Sequence, residues 1–498
     1  MDDLRFLIEK LEREIEKIEV KSEVEEIGRV LKVGDGIAWI DGLEKTQVSE
    51  VLMIEEKKIL LLALNLEEGL IGAAVLNDFE RIKEGDIVKR TYQVIQIPVG
   101  ENLIGRVIDP LGRPLDNLGE IFTNEFYPLE RPAPNVIERE PVNTPLHTGI
   151  KIIDALIPIG RGQRELILGD RQTGKTSIAL DLILNQKQDP LETPICIYVA
   201  IGQRASKLRR IYEVLKKEGA MDYTIIVATS PSDLPILLYL APYAGCSIGE
   251  YFRDKGQDAV VIYDDLTKHA WAWREISLLL KRPAGREAYP GDIFYTHSRL
   301  LERAAKLKNG GSLTAIPICE TQLGDITAYI PTNLISITDG QIYLETELFN
   351  AGFRPAINIG LSVSRVGSKA QTKIIKKIAG RLKLDLAQYR ELEAFAKVAT
   401  ELAEESQKKL IRGRVIMELL KQANFEPLSF EKMAVLLYAA VNGYLDEIPL
   451  EKIKEIEKKL LEKLEIDGKE ILEKIKKEKD LNEEIENQLK EFLIKEIK

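Results

Sequence analysis

The chain has 498 residues, 45% hydrophobic and 30% charged, a globular composition too long for a single core. Its formal net charge of −10 weighs against nucleic acid as the main partner, because phosphate backbones are gripped by clustered lysine and arginine. Cys196, Cys246 and Cys319 are widely spaced and, like the histidines, show no metal-ligand pattern. No run approaches the roughly 18 uncharged apolar residues that a membrane span needs.

Residues 1–22 mix acids and bases, without the apolar stretch of a secretory signal or the acid-poor composition of a transit peptide. The chain is therefore expected to stay in the compartment where it is made. Leu4, Leu7, Ile8, Leu11, Ile15 and Ile18 recur at spacings of three and four, which predicts an amphipathic helix over 3–20. Such a helix either packs on its own domain or docks on another chain. Over 23–91 the pattern changes to short strand-like runs at 27–33, 36–40, 59–64 and 72–76. Turn residues such as Gly34-Asp35-Gly36 and Glu84-Gly85-Asp86 separate them, and a small barrel or sandwich is expected. Over 92–371 apolar strand candidates at 165–168, 195–201, 224–228, 259–263, 313–318 and 335–338 alternate with helical segments, which predicts a mainly parallel sheet wrapped by helices. Residues 372–498 read as helices, with a dense Lys/Glu surface from 450 onward.

The string Gly169-Asp170-Arg171-Gln172-Thr173-Gly174-Lys175-Thr176 matches G-x-x-x-x-G-K-[ST] in full, with an apolar strand before it and a helical pattern after it. Glycine lets the backbone turn its N–H groups toward phosphate oxygens, and the helix N-terminus adds positive potential there. Lys175 is expected to reach the outer phosphates and the Thr176 hydroxyl to ligate Mg²⁺. A second requirement is a carboxylate at the end of a buried strand. The run 259–263 supplies it as Asp264, favoured to hold Mg²⁺ through water, or as its neighbour Asp265. ATP or ADP with Mg²⁺ is the expected ligand. Hydrolysis also needs a group that orients water and takes up its proton. At the end of the strand 195–201 the chain offers Gln203, a neutral amide and a weak base.

These residues carry a family resemblance. Gly160-Arg161-Gly162-Gln163-Arg164-Glu165 leading into the phosphate loop, Gly285-Arg286-Glu287-Ala288-Tyr289-Pro290-Gly291-Asp292, Pro331-Thr332-Asn333 and 362–368 (SVSRVGS) resemble the alpha subunits of F-type ATP synthases, over about 24–446. The resemblance implies an N-terminal β-barrel, a central P-loop domain of the RecA-like kind and a C-terminal helical bundle. It also implies a ring of three such subunits alternating with three catalytic beta subunits around a gamma central stalk. In that family the catalytic chain has glutamate where this one has Gln203. By resemblance Arg365 reaches into the neighbour's site as an arginine finger, and Ser336 lies near the same interface. Gln172, Arg354, Pro355 and Gln422 match positions around the adenine of a non-catalytic nucleotide. Asn424 stands where glutamine is common in that family, so no base contact is expected of it. The loop 282–292 resembles the segment facing the stalk. The N-terminal helix resembles the one that meets the delta subunit of the peripheral stalk, and the membrane is reached only through the ion-translocating sector. The expected location is the cytoplasmic face of a bacterial membrane, or the stromal side of a thylakoid. The competing readings are a self-sufficient hexameric ATPase, of beta or export type, and a Rho-like RNA translocase. Gln203 and the acidic balance argue against them.

Overall fold

The computed structural model describes residues 26–188, 191–396 and 403–497, so the helix expected over 3–20 lies outside the described residues. The chain divides into two compact units between Val94 and Ile95. In the first, six strands close into a barrel: β1 (Ile27–Gly34), β2 (Ile37–Asp41), β3 (Glu50–Ile54), β4 (Ile59–Glu67), β5 (Leu70–Val75) and β6 (Ile87–Val94), in the order β1-β2-β5-β4-β3-β6. Val30, Ile40, Leu52, Leu61, Val75 and Val88 fill the interior, and closure leaves no open sheet edge. Two of these strands, β3 and β6, were not among the expected runs. β6 carries Lys89, Arg90 and Thr91, and its Arg90 makes a two-point bond with Glu50 of β3 at 2.9 Å. That strand is held by a charge pair as well as by apolar residues. The boundary expected at 91/92 falls inside it.

The second unit is built on an eight-stranded sheet. Its strands are β7 (Val107–Ile108), β8 (Leu166–Gly169), β9 (Ile195–Ala200), β10 (Thr224–Ala228), β11 (Ala259–Asp264), β12 (Leu313–Glu320), β13 (Gly340–Leu344) and β14 (Val363–Ser364), in the order β14-β13-β8-β12-β11-β9-β10-β7. Every neighbouring pair is parallel except β13 with β14. β10 and β11 are buried along their whole length, as a sheet covered on both faces requires. The register pairs Gly169 with Glu320 and Ala200 with Asp264. The C-terminal ends of β8, β12, β11 and β9 therefore share one edge, the usual ligand side of such sheets.

One strand expectation fails. The run at 335–338 is the end of a helix (Tyr329–Ile337), and the strand begins afterwards at Gly340. Ile330, Leu334 and Ile337 are buried while Ser336 is exposed, which is helical spacing. The short alternation Ile335-Ser336-Ile337-Thr338 concealed it, and Asp339-Gly340 restarts the chain as β13.

Four helices position the site: α1 (Lys175–Asn185), α2 (Ala205–Lys217), α3 (Pro235–Asp254) and α4 (Leu266–Leu279). The C-terminal region is helical: α5 (Lys373–Ala396), α6 (Glu404–Leu420), α7 (Phe430–Val441), α8 (Ile453–Ile466), α9 (Lys469–Glu478) and α10 (Glu483–Ile497). α7 is buried on nearly every side, and one apolar core runs from Ile152 beneath the sheet through Leu436 to Leu493. The Lys/Glu-rich helices α8 to α10 turn Leu464, Ile475 and Leu489 into that core and their charges outward.

Candidate nucleotide site

The phosphate loop leaves β8 in the middle of the sheet and enters α1 at Lys175. Gly174 takes φ +104°, a conformation that side chains resist. At Gly169 a Cβ would meet the Leu344 carbonyl oxygen at 2.8 Å. Asp170 fastens the loop to its surroundings: its carboxylate accepts bonds from Thr321 Oγ1 (2.6 Å), Gly324 N (2.9 Å) and Thr346 Oγ1 (2.9 Å). Burial opposes its charge, but these donors hold its pKa below the usual carboxylate value. Arg171 reaches Glu320 at 3.1 Å. The Lys175 ammonium donates to the carbonyl oxygens of Gly169 (2.6 Å) and Asp170 (2.5 Å). Burial lowers its pKa, while Glu320, Asp265 and Asp264 act in the opposite direction.

The two candidate acids separate cleanly. Asp264 Oδ2 accepts a bond from the Thr176 hydroxyl at 2.8 Å and another from Tyr198 at 2.5 Å. Asp265 is engaged elsewhere: it caps α4 by accepting from Lys268 N at 3.0 Å. Burial pushes Asp265 up to about 6, whereas Lys207 and the donated bonds hold Asp264 below its ordinary value despite burial. Gln203 turns its amide onto the same acid, donating to the Asp264 carbonyl oxygen at 3.0 Å and to Oδ1 at 3.1 Å. A glutamate there could not donate either bond. Among the described residues no group of three or more His, Cys, Asp or Glu converges as a metal cage. One hydroxyl and one carboxylate at bonding distance fit an ion that draws most of its ligands from phosphate and water.

Lys175, Thr176, Gln203, Asp264 and Gln172 all border one cavity of about 1010 Å³. Arg354, Pro355, Gln422 and Asn424 border a second of about 70 Å³, which shares Gly174 with the first. The structure thus brings Asn424 into this wall, where the sequence predicts no contact for it. Arg354 lies over the Phe349 ring, 4.5 Å from its centre. Gln422 is largely engaged already: Oε1 accepts from Lys151 N (3.0 Å), and Nε2 donates to the carbonyl oxygens of Gly149 (2.7 Å) and Glu426 (2.8 Å). One lone pair on Oε1 remains for a ligand.

Arg365 and Ser336 stand apart from this cavity. Arg365 is exposed beside a cleft of about 290 Å³ that it shares with Arg164 and Asp339. Its mount is well fixed: its N–H donates to the Asp339 carbonyl oxygen at 2.8 Å, and Ser364 Oγ donates to Pro158 O at 2.7 Å. Ser336 faces solvent and donates to the Asn333 carbonyl oxygen at 2.7 Å. Neither borders the chain's own phosphate loop.

Three lining residues were missed in the sequence. Glu320 ends an apolar strand just as Asp264 does, a signal open to reading. Asp181 sits in the smaller cavity, where burial pushes it up to about 7, and Lys207 joins the Asp264 cluster from α2. Only the tertiary fold brings these two in.

Family models match three successive segments. The beta-barrel domain of the ATP synthase alpha/beta family covers residues 23–92, the nucleotide-binding domain 149–364, and the C-terminal domain of the ATP synthase alpha/beta chain 371–496. The chain belongs to the ATP synthase alpha/beta family. Among its relatives is the ATP synthase subunit alpha of Petrotoga mobilis, 56% identical over 99% of this chain and 98% of that one. The ATP synthase subunit alpha of Dehalococcoides mccartyi is 57% identical over 94% of this chain and 93% of its own. The matched nucleotide-binding segment contains the phosphate loop, Gln203, Asp264, Ser336, Arg354 and Pro355, and its end reaches Ser364. No helix among the described residues is long and apolar enough to cross a membrane.

Proposed function

We propose that the chain acts as the alpha subunit of an F-type ATP synthase: it binds a nucleotide that it does not itself hydrolyse and completes catalytic sites on a neighbouring beta-type subunit. The observation that carries the reading is the pairing of Gln203 with Asp264. The position facing the nucleotide holds an amide that donates to the acid, so it offers no general base for water. The exposed, rigidly mounted Arg365 is what such a chain would lend to a neighbour. A guanidinium on the transferring phosphoryl group is typically worth about 10³–10⁵ in rate.

In this reading the loop from Gly169 to Thr176 wraps the phosphates, and Lys175 leaves its carbonyl partners to reach the outer ones. Thr176 and Asp264 would hold Mg²⁺, the acid through water. The ion's contribution is to neutralise phosphate charge. Gln172, Arg354, Pro355 and the free lone pair of Gln422 surround the adenine, and Ser336 supports the interface that carries Arg365. The partners are three beta-type subunits, a gamma stalk and the delta subunit of the peripheral stalk. The chain reaches the cytoplasmic face of the cell membrane only through them, where the assembly makes ATP from ADP and phosphate on a transmembrane ion gradient. The relatives' printed name and their full-length match support the complex.

The test is Mg-ATP hydrolysis by the purified chain, alone and then mixed with a beta-type subunit and a central stalk. Near-zero turnover alone that rises steeply on mixing is expected. Rapid turnover alone would mean a catalytic motor in its own right.

A further inference from the structure

Lys207 lies in the first turn of α2, and its Nζ is 3.1 Å from Thr176 Oγ1 and 3.2 Å from Asp264 Oδ2. These are the two oxygens that would serve a divalent ion. The ammonium bridges them as a bound cation would, and it approaches from an element unrelated to the phosphate loop. Asp264 is 3% exposed, so its charge gets little help from solvent. A nucleoside diphosphate or triphosphate entering beside it brings further negative charge, and that repulsion is strong unless a cation stands between. The Lys207 side chain is 39% exposed, and its four-carbon stem leaves the ammonium free to pivot within the cavity it borders.

We propose that Lys207 is a tethered counter-cation that allows this site to hold a nucleoside diphosphate or triphosphate without a divalent metal. The proposal rests on the nucleotide reading of the site given above. With metal absent, the ammonium stays between Asp264 and the phosphates. When metal enters, it withdraws toward the open cavity and leaves Thr176 and Asp264 to the ion. Metal then adds modestly to affinity.

Calorimetric titration of the full chain with ADP, once in excess Mg²⁺ and once in EDTA, tests this. The two dissociation constants of the unaltered chain should lie within about tenfold of each other. Lys207→Met should weaken binding in EDTA by at least about tenfold and binding in Mg²⁺ by less than about threefold. Lys207→Arg, which keeps the charge, should preserve most of the metal-free binding. Loss of ADP binding by the unaltered chain in EDTA, with binding retained in Mg²⁺, would overturn the proposal. So would an equal loss in both conditions for Lys207→Met. If Lys207→Met does not fold by circular dichroism, the ratio for the unaltered chain and the Lys207→Arg titration decide. Absence of ADP binding in both conditions would overturn the nucleotide reading itself.

Discussion

Replacing Gln203 with glutamate would set a second carboxylate against one that is already buried. The Gln203 amide now donates to Asp264 Oδ1 at 3.1 Å. Two unit charges at that separation repel by about 5 kcal/mol at an effective dielectric of about 20. The lost donor adds to this, while Lys207, 3.2 Å from Asp264, offsets part of it. A net destabilisation of about 3 kcal/mol near pH 8 is expected for Gln203→Glu, since the pair escapes part of the repulsion by sharing a proton. The sign with pH follows. The pair's folded pKa is raised above the unfolded value near 4.3, so the penalty is full above the folded pKa and fades as pH falls toward the unfolded one. Thermal unfolding of the nucleotide-free chain should therefore show a Tm loss that is large at about pH 8 and much smaller at about pH 5. An equal loss at both, or none near pH 8, would refute the placement of the amide against Asp264.

Burial holds the Asp181 carboxyl up to about 7, above its unfolded value, so its charge costs stability once the pH exceeds that value. Asp181→Asn keeps the acceptor for Phe425 N (2.7 Å) and should stabilise the chain by up to about 4 kcal/mol near pH 8, by less than half of that near pH 5 and not at all below about pH 3.5, read as the gain in Tm at each pH; a gain independent of pH would contradict this. Glu250 and Arg303 form a 2.7 Å pair with both side chains 1% exposed. Glu250→Gln leaves a buried guanidinium short of its counter-charge and should cost about 3–5 kcal/mol in denaturant unfolding, whereas a cost below about 1 kcal/mol would show the site to be wetter than its geometry. Lys175→Ala should remove measurable ADP binding by this chain in calorimetry while its thermal unfolding stays cooperative. Unchanged affinity would place the phosphates elsewhere.

How much of this was open to reading from the sequence depends on how local each signal is. The phosphate loop is legible because its eight residues are consecutive and their spacing carries the chemistry. The buried strands are legible because a sheet covered on both faces demands unbroken apolar runs, as in β10 and β11. The helix ending at Ile337 reads as a strand because Ile335-Ser336-Ile337-Thr338 alternates apolar and polar residues, and four residues are too few to tell a period of 2 from one of 3.6. β6 escaped because its inward Arg90 is neutralised by Glu50, forty residues away. That Asp264 meets Thr176 while Asp265 caps α4 is not visible in the string Tyr263-Asp264-Asp265, because both partners arrive through the tertiary fold or the next helix. Gln422 could be matched to a position but not to its bonds. Its amide already joins the Gly149–Lys151 turn to the C-terminal region, which leaves one lone pair on Oε1 for any ligand.

The most direct measurement is steady-state ATP hydrolysis by the assembled complex carrying Arg365→Ala, with ADP binding to the isolated variant measured alongside. Arg365 lies outside the cavity lined by Lys175 and Thr176. Binding to the isolated chain should therefore be unchanged, while turnover of the complex falls by about 10³ or more. Turnover near that of the unaltered complex, or a parallel loss of nucleotide binding by the isolated chain, would contradict the division of labour between the two sites.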